Sequence, residues 1–203
     1  MLRMIATVVI GYLLGSISTG VLLSRAVTHT DIRTQGSGNA GTTNMLRVLG
    51  RRMALFTFLG DMLKGVIAVF IGKALVGGEL GGVLGVLGAV LGHNFPLYFG
   101  FKGGKGIATS FGSLLFVFPL QSIAAFAIFL ILVALTHYVS VGSIAAAIAL
   151  PAFVILTTPF HPIICSCMVF LGVMVVWRHH QNISRLIHHK ENKLDFNTLK
   201  KKK

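Results

Sequence analysis

Residues 106 to 177 contain no Asp, Glu, Lys or Arg. A water-soluble fold does not keep so long a stretch free of surface charge, so lipid must be the solvent there. The rest of the chain agrees: of 203 residues, 54% are hydrophobic and 11% charged, well below the roughly one quarter charged residues of soluble domains. A helix rising 1.5 Å per residue needs about 20 apolar residues to cross a hydrocarbon layer roughly 30 Å thick. By that length rule the sequence predicts an all-α polytopic membrane protein with about seven transmembrane helices, over residues 2–24, 53–76, 78–97, 107–118, 120–136, 139–157 and 162–177. The fourth is too short to cross, and Pro119 with Gln121 and Ser122 turns it into a helical hairpin within the membrane. Residues 1–193 read as a single membrane-embedded domain and 194–203 as a basic tail. The opening MLRMIATVVIGYLLGSISTG resembles a secretory leader, but it lacks an AxA-like cleavage site and further apolar segments follow. It reads as a retained first span.

The net charge of +13 sits in segments flanking the apolar runs, which points to membrane lipids or anionic ligands. No basic face interleaved with aromatics supports nucleic-acid binding. Cys165 and Cys167 lie inside an apolar run and read as packing residues, not as a disulfide or metal pair. Lys/Arg bias orients the chain. The first connection carries Arg25, Arg33, Arg47, Arg51 and Arg52 against Arg3 alone before the first span, so the amino terminus is expected outside. Alternating crossings then put FGFKGGKG (99–106), RHHQNISRL (178–186) and the carboxyl terminus on the cytoplasmic side, and the uncharged TTPFHP (157–162) outside. Lys73, the exception, is expected to snorkel outward. The three segments richest in Gly, Asn, His, Arg and Lys thus share one face and are expected to meet. The Gly-rich run GGELGGVLGVLGAVLG reads as a close-packing helix.

GSGNAGTTN (36–44) has the glycine spacing of a dinucleotide turn, but the context fails. No buried-strand run precedes it, and Asp61, the acid downstream, lies in an apolar helix. Gly36, Gly38 and Gly41 can still present backbone N–H groups to a phosphate. Ser37, Asn39, Thr42 and Thr43 add side-chain donors, and Arg47 adds a bidentate charge. A Gly-rich linker with turn-forming Asn and Ser accounts for the same residues. FKGGKG is no Walker A loop, because Gly106 stands where Ser or Thr would bind magnesium. Lys102 and Lys105 around Gly103 and Gly104 form an anion site at the mouth of the fourth helix, or serve only to fix topology. His93, in GHNFP, alone reads as a helix-end hydrogen bonder. In RHHQNISRL, His179, Asn182 and Arg185 recur every third residue and share a stripe on a helix continuing the seventh span. The paired histidines, His179 with His180 and His188 with His189, have no carboxylate at ligand spacing, so no metal is expected.

Taken in order, GSGNAGTTN with Arg47, GHNFPLYFGFKGGKG and RHHQNISRL resemble the bacterial acyl-phosphate glycerol-3-phosphate acyltransferase family, and GDMLKG (60–65) looks like a further family element. The likeness covers most of the chain. It implies transfer of a fatty acyl group from acyl phosphate to the sn-1 hydroxyl of glycerol-3-phosphate, giving lysophosphatidic acid and phosphate, the first step of phospholipid synthesis, in the bacterial plasma membrane. It further implies that Ser37, Arg47, Lys105, His179 and Asn182 are needed for activity. Phosphate binding is expected at Gly36, Gly38, Asn39, Gly41, Thr43, Asn44, Gly103, Gly104 and Arg185, with His93, Asp61 and Lys64 in support. Asp61 and Lys64 stand one turn apart, able to pair inside the membrane. One departure stands out: Lys190 occupies the position of a family glycine before Glu191, which leaves the role of Glu191 open.

Acyl phosphate is a mixed anhydride with a good leaving group, so the implied chemistry requires no cofactor and no activated Ser or Cys. Oligomeric state is not specified. The rival function is a transporter of a phosphorylated metabolite, but such proteins place polar groups at the midplane on paired broken helices. Here the polar groups gather at one rim, and the Pro119 break is unpaired. A structural membrane subunit would not need so many phosphate ligands. A Ser37→Cys protein is expected to be labelled by a membrane-impermeant thiol reagent only from the cytoplasmic side; labelling from the outer side alone would reverse the orientation.

Overall fold

The computed structural model describes residues 1–194; residues 195–203, most of the expected basic tail, lie outside the described residues. Among the described residues there are nine α-helices and no strand: α1 (Leu2–Gly15), α2 (Thr19–Thr28), α3 (Thr42–Leu75), α4 (Gly78–Asn94), α5 (Ile107–Leu114), α6 (Pro119–Thr136), α7 (Val139–Thr157), α8 (Pro162–Arg178) and α9 (His180–Ile187). Five stretches are long and apolar enough to cross a membrane, and α8 with α9, bent by 51°, makes a sixth. The expected seven helices therefore become five or six spans, with α5 too short to cross, as its sequence implied.

Three boundaries differ from the sequence reading, each for a local reason. The first span breaks between α1 and α2, where Ser18 is extended and the Ser16 hydroxyl donates to the Tyr12 carbonyl at 2.8 Å. That back-bond competes with the helix ladder. Helix α3 starts at Thr42 rather than at residue 53, and Gly50, with φ 81° and ψ −173°, separates its first turns from the span. The helix expected to run on past Trp177 bends at His179, whose φ of −93° and ψ of 7° are non-helical.

The chain forms two compact units, Met1–Val117 and the part from Phe118 onward. In the first, α4 is the central helix, with 72% of its apolar window buried against 39% for the α1–α2 and α3 stretches. Its glycines press on backbone. Gly88 lies against Val8 and Tyr12 of α1, Gly92 against Tyr12 and Ser16, and Gly85 against Ala68 of α3. In lipid, helices gain little from apolar burial against each other, and such close approach supplies the missing dispersion energy. Helix α5 lies along α3, Gly112 against Met62 and Gly65 against Thr109. Lys73 does not simply snorkel: its ammonium donates at 2.8 Å to the carbonyl of Phe116, in the turn closing α5. In the second unit α6, α7 and α8 pack in chain order. Leu120, Leu135, Leu156 and Phe160 stand exposed, an arrangement that lipid tolerates and water does not.

A Cβ on residue 88 would lie 2.9 Å from the Tyr12 nitrogen, so neither helix can yield without moving its backbone. Gly88→Val is expected to cost about 1–3 kcal/mol or more, seen as a lower thermal midpoint in detergent. Leu135→Val, on an exposed face, is expected to leave the midpoint near wild type.

Candidate active site

The first polar loop of the amino-terminal unit is built around one buried amide. Asn44, in the first turn of α3 and 1% exposed, accepts from the Ser37 N–H at 2.8 Å. Its Nδ2 donates to the carbonyls of Ile32, Gln35 and Asn39 at 3.2, 3.0 and 2.9 Å. Gly36 (φ 58°) and Gly38 (φ 73°) take the left-handed turns this wrapping requires. Asn39 folds its own oxygen onto the Gly41 N–H at 2.8 Å, just before α3. Asn39 and Asn44 thus spend polar atoms on holding the loop, which presents Ser37, half-buried, and Thr43 around the helix start. Arg47 lies exposed in the next turn.

A second loop of the same unit, between α4 and α5, is tied to the first by a residue that the sequence suggested only as a topology charge. The Arg33 guanidinium donates to the carbonyls of Phe99 and Lys102 at 2.7 and 2.8 Å. Its other edge is held by Asp31 at 2.9 and 2.8 Å, in the forked geometry that Lys cannot reproduce. Arg25 adds a contact to Asp31 at 2.8 Å and lies over the Phe99 ring. The hydrogen bond from Arg33 holds the Asp31 carboxyl well below the usual carboxylate range. A signal existed: Asp31 is the sole acid between residues 25 and 52. The two glycine loops carrying Ser37 and Lys105 are thereby joined through Arg33.

Lys105 is half-buried between Gly104, buried, and Gly106, whose φ of 84° caps α5. The Gly104 N–H donates to the His93 carbonyl at 3.1 Å, folding the loop back onto the end of α4. Beneath it lies a buried ionic group in which Lys64 Nζ is 2.9 Å from Asp61 Oδ1 and 3.0 Å from His93 Nδ1. The expected Asp61–Lys64 pair is present, and it includes His93.

In the carboxyl-terminal unit the bend at His179 redistributes the expected stripe. His179 is 3% exposed, and its Nδ1 is 2.7 Å from the Val175 carbonyl. A carbonyl only accepts, so Nδ1 carries the proton and, in the neutral ring, Nε2 carries the lone pair. Asn182 and Arg185 share the face of α9, and both reach Glu191: Asn182 Nδ2 to Oε1 at 2.7 Å and Arg185 Nε to Oε2 at 2.7 Å. Ser140, near the start of α7, donates to Oε1 at 3.2 Å. Burial pushes the Glu191 carboxyl up, but the hydrogen bonds from Arg185 and Asn182 outweigh it and hold it below its ordinary value. Lys190 before it leaves these Glu191 contacts in place. The left-handed residue is His189 (φ 54°), not Lys190, whose N–H donates to the Arg185 carbonyl at 2.7 Å.

A family model described as glycerol-3-phosphate acyltransferase matches residues 5–189. The chain is 46% identical to the glycerol-3-phosphate acyltransferase of Clostridioides difficile (strain 630), covering 92% of this chain and 93% of the relative. It is 44% identical to that of Syntrophotalea carbinolica, covering 90% and 93%. The crystal structure of PlsY (YgiH), an integral membrane glycerol 3-phosphate acyltransferase, in its glycerol 3-phosphate form, superposes with a TM-score of 0.90 at 32% identity, covering 98% of this chain and 99% of that one. Its lysophosphatidic acid form gives 0.84 at 33% identity, covering 95% of each.

Because the Glu191 carboxyl is held below its unfolded value of 4.5, its stabilising contribution is complete above about pH 4.5 and fades as pH falls through the lower folded value. Glu191→Gln keeps an acceptor for Asn182 and loses the ion pair with Arg185. The variant is expected to be less stable by about 2 kcal/mol at pH 7. The gap in thermal midpoint from wild type is expected to narrow on acidification below pH 4.5, and a gap unchanged by acid would contradict the assignment.

Proposed function

The chain belongs to the glycerol-3-phosphate acyltransferase family, and we propose that it transfers a fatty acyl group from acyl phosphate to the sn-1 hydroxyl of glycerol-3-phosphate in the inner membrane of a bacterium, with the polar loops and carboxyl terminus facing the cytoplasm. The observation that carries this reading beyond family membership is the joining of the two glycine loops through Arg33. It gives Ser37, Arg47 and Lys105 one shared framework of backbone donors and cations.

The reaction brings two phosphate-bearing molecules together, a repulsion of several kcal/mol at low dielectric without cations. Arg47, Lys105 and Arg185 offset it, and the backbones around Gly36–Gly41 and Gly103–Gly104 supply N–H donors. The hydroxyl oxygen attacks the acyl carbonyl carbon, forming the ester C–O bond. The bond from that carbon to the phosphate oxygen breaks, and inorganic phosphate leaves with its electron pair. The hydroxyl proton passes to the departing phosphate, whose basicity suits it once freed. Nε2 of His179, with its lone pair, is the alternative acceptor, and Asn182 and Ser37 orient the substrates.

Purified protein in lipid is expected to release phosphate only when both acyl phosphate and glycerol-3-phosphate are present. Lys105→Ala is expected to lower kcat/KM by about 100-fold while keeping the helical circular dichroism of wild type; an unassembled product would argue against a substrate-binding role. His179→Ala with near-normal turnover would exclude His179 as the base.

A further inference from the structure

Lys64 is 5% exposed in the middle of an apolar helix, where an ammonium without partners is costly. It has three. Asp61 Oδ1, one turn earlier, lies at 2.9 Å. The carbonyl of Ile17, released from the helix ladder by the break between α1 and α2, accepts at 2.8 Å. The third is His93 Nδ1, at 3.0 Å. Asp61 Oδ1 also faces this nitrogen, but at 3.5 Å against 3.0 Å for the ammonium. An ammonium has hydrogens and no lone pair, so with Lys64 as the nearer partner His93 Nδ1 is the acceptor and the ring proton sits on Nε2.

That Nε2 occupies the space where a Cβ of residue 104 would be, so the imidazole edge lies directly against the Gly104 backbone. On its other side the same residue binds the loop through its main chain. The His93 carbonyl accepts from Gly104 N–H at 3.1 Å and lies against Gly103, which also meets the Pro96 ring. Both the ring and the carbonyl of His93 therefore touch the two residues preceding Lys105. Apolar packing could fill the same volume, but it would select neither the rotation nor the tautomer of the ring; a fixed ammonium selects both.

We propose that Asp61, Lys64 and His93 are positioning residues for Lys105. The buried ion pair locks His93 as the Nε2–H tautomer behind Gly104, and the locked ring sets the place from which Lys105 meets the phosphate groups. The proposal rests on the reading of Lys105 given above. It assigns the break in the first span a purpose, since an unbroken helix would offer Lys64 no carbonyl.

The test is a double-mutant cycle on purified protein in lipid, with acyl phosphate and glycerol-3-phosphate as substrates. Asp61→Asn with Lys64→Met removes both charges at similar volume, an exchange that buried pairs often tolerate. The double variant is expected to keep a thermal midpoint near wild type while kcat falls about tenfold or more and KM for glycerol-3-phosphate changes little. Lys105→Ala, costing about 100-fold in wild type, is expected to cost about tenfold or less in this background, because the lysine there is already misplaced. His93→Asn provides the second arm should the double variant not fold. Its Oδ1 keeps an acceptor for Lys64 but nothing reaches Gly104, and the same loss of coupling is expected. An equal penalty for Lys105→Ala in wild-type and variant backgrounds overturns the proposal alone, as does wild-type kcat in the double variant or, in His93→Asn, a loss of activity that only tracks a loss of stability. Full turnover by Lys105→Ala in the wild-type background overturns the reading of the site and this proposal with it.

Discussion

Main chain pressed on main chain is the contact on which the amino-terminal unit depends. Lipid gives helices no hydrophobic reason to associate, so cohesion must come from dispersion at close range and from polar groups with nowhere else to go. Helix α4 meets both conditions. Its glycines admit the backbones of α1 and α3, and its carboxyl end delivers His93 to the buried Asp61–Lys64 pair. Without the first, the second would have no fixed partner. Placing the least bulky helix at the centre thus brings the charged Asp61 and Lys64 of α3, the His93 imidazole of α4 and the Ile17 carbonyl from the α1–α2 break to a single point.

A common device organises each polar segment. One buried or partly buried polar residue satisfies several neighbours at once, and the groups assigned to the chemistry are left at its edge. Asn44 gathers the first loop, Arg33 with Asp31 ties that loop to the second, His93 backs the Gly103–Gly104 turn, and Glu191 gathers Asn182, Arg185 and Ser140. In a low-dielectric setting a fully satisfied hub is rigid, because loss of any one bond leaves a buried group unpaired. Rigidity of that kind suits a reaction whose catalysis is placement and charge rather than a covalent intermediate.

Hydropathy and loop charge made the helices legible, because the length of an apolar run and the cost of burying charge are properties of the chain alone. The glycine loops were legible too, through residue type and order. What escaped were features fixed by partners distant in sequence. The break at Ser16–Ser18 is held by Leu97, whose N–H reaches the Ser16 hydroxyl at 3.2 Å, and by Lys64 on Ile17; neither shows in a window of neighbouring residues. The bend at His179 interrupts what reads as continuous helical spacing. Arg33 looked like one positive charge among five, and only its reach to Phe99 and Lys102 distinguishes it from Arg51 or Arg52. Glu191 lost its assignment to the lysine before it, because sequence cannot tell which of two adjacent residues takes the left-handed turn.

The bond from Lys73 to the Phe116 carbonyl has a consequence for electrostatics. The last carbonyls of an α-helix carry its negative pole and find no donor partner within the helix itself. The ammonium of Lys73 supplies compensation from α3. With its rear pole offset, the short helix α5 is left as a one-ended electrode whose positive end faces the turn bearing Lys105, so a lysine at the opposite end of that helix strengthens the positive field at the turn.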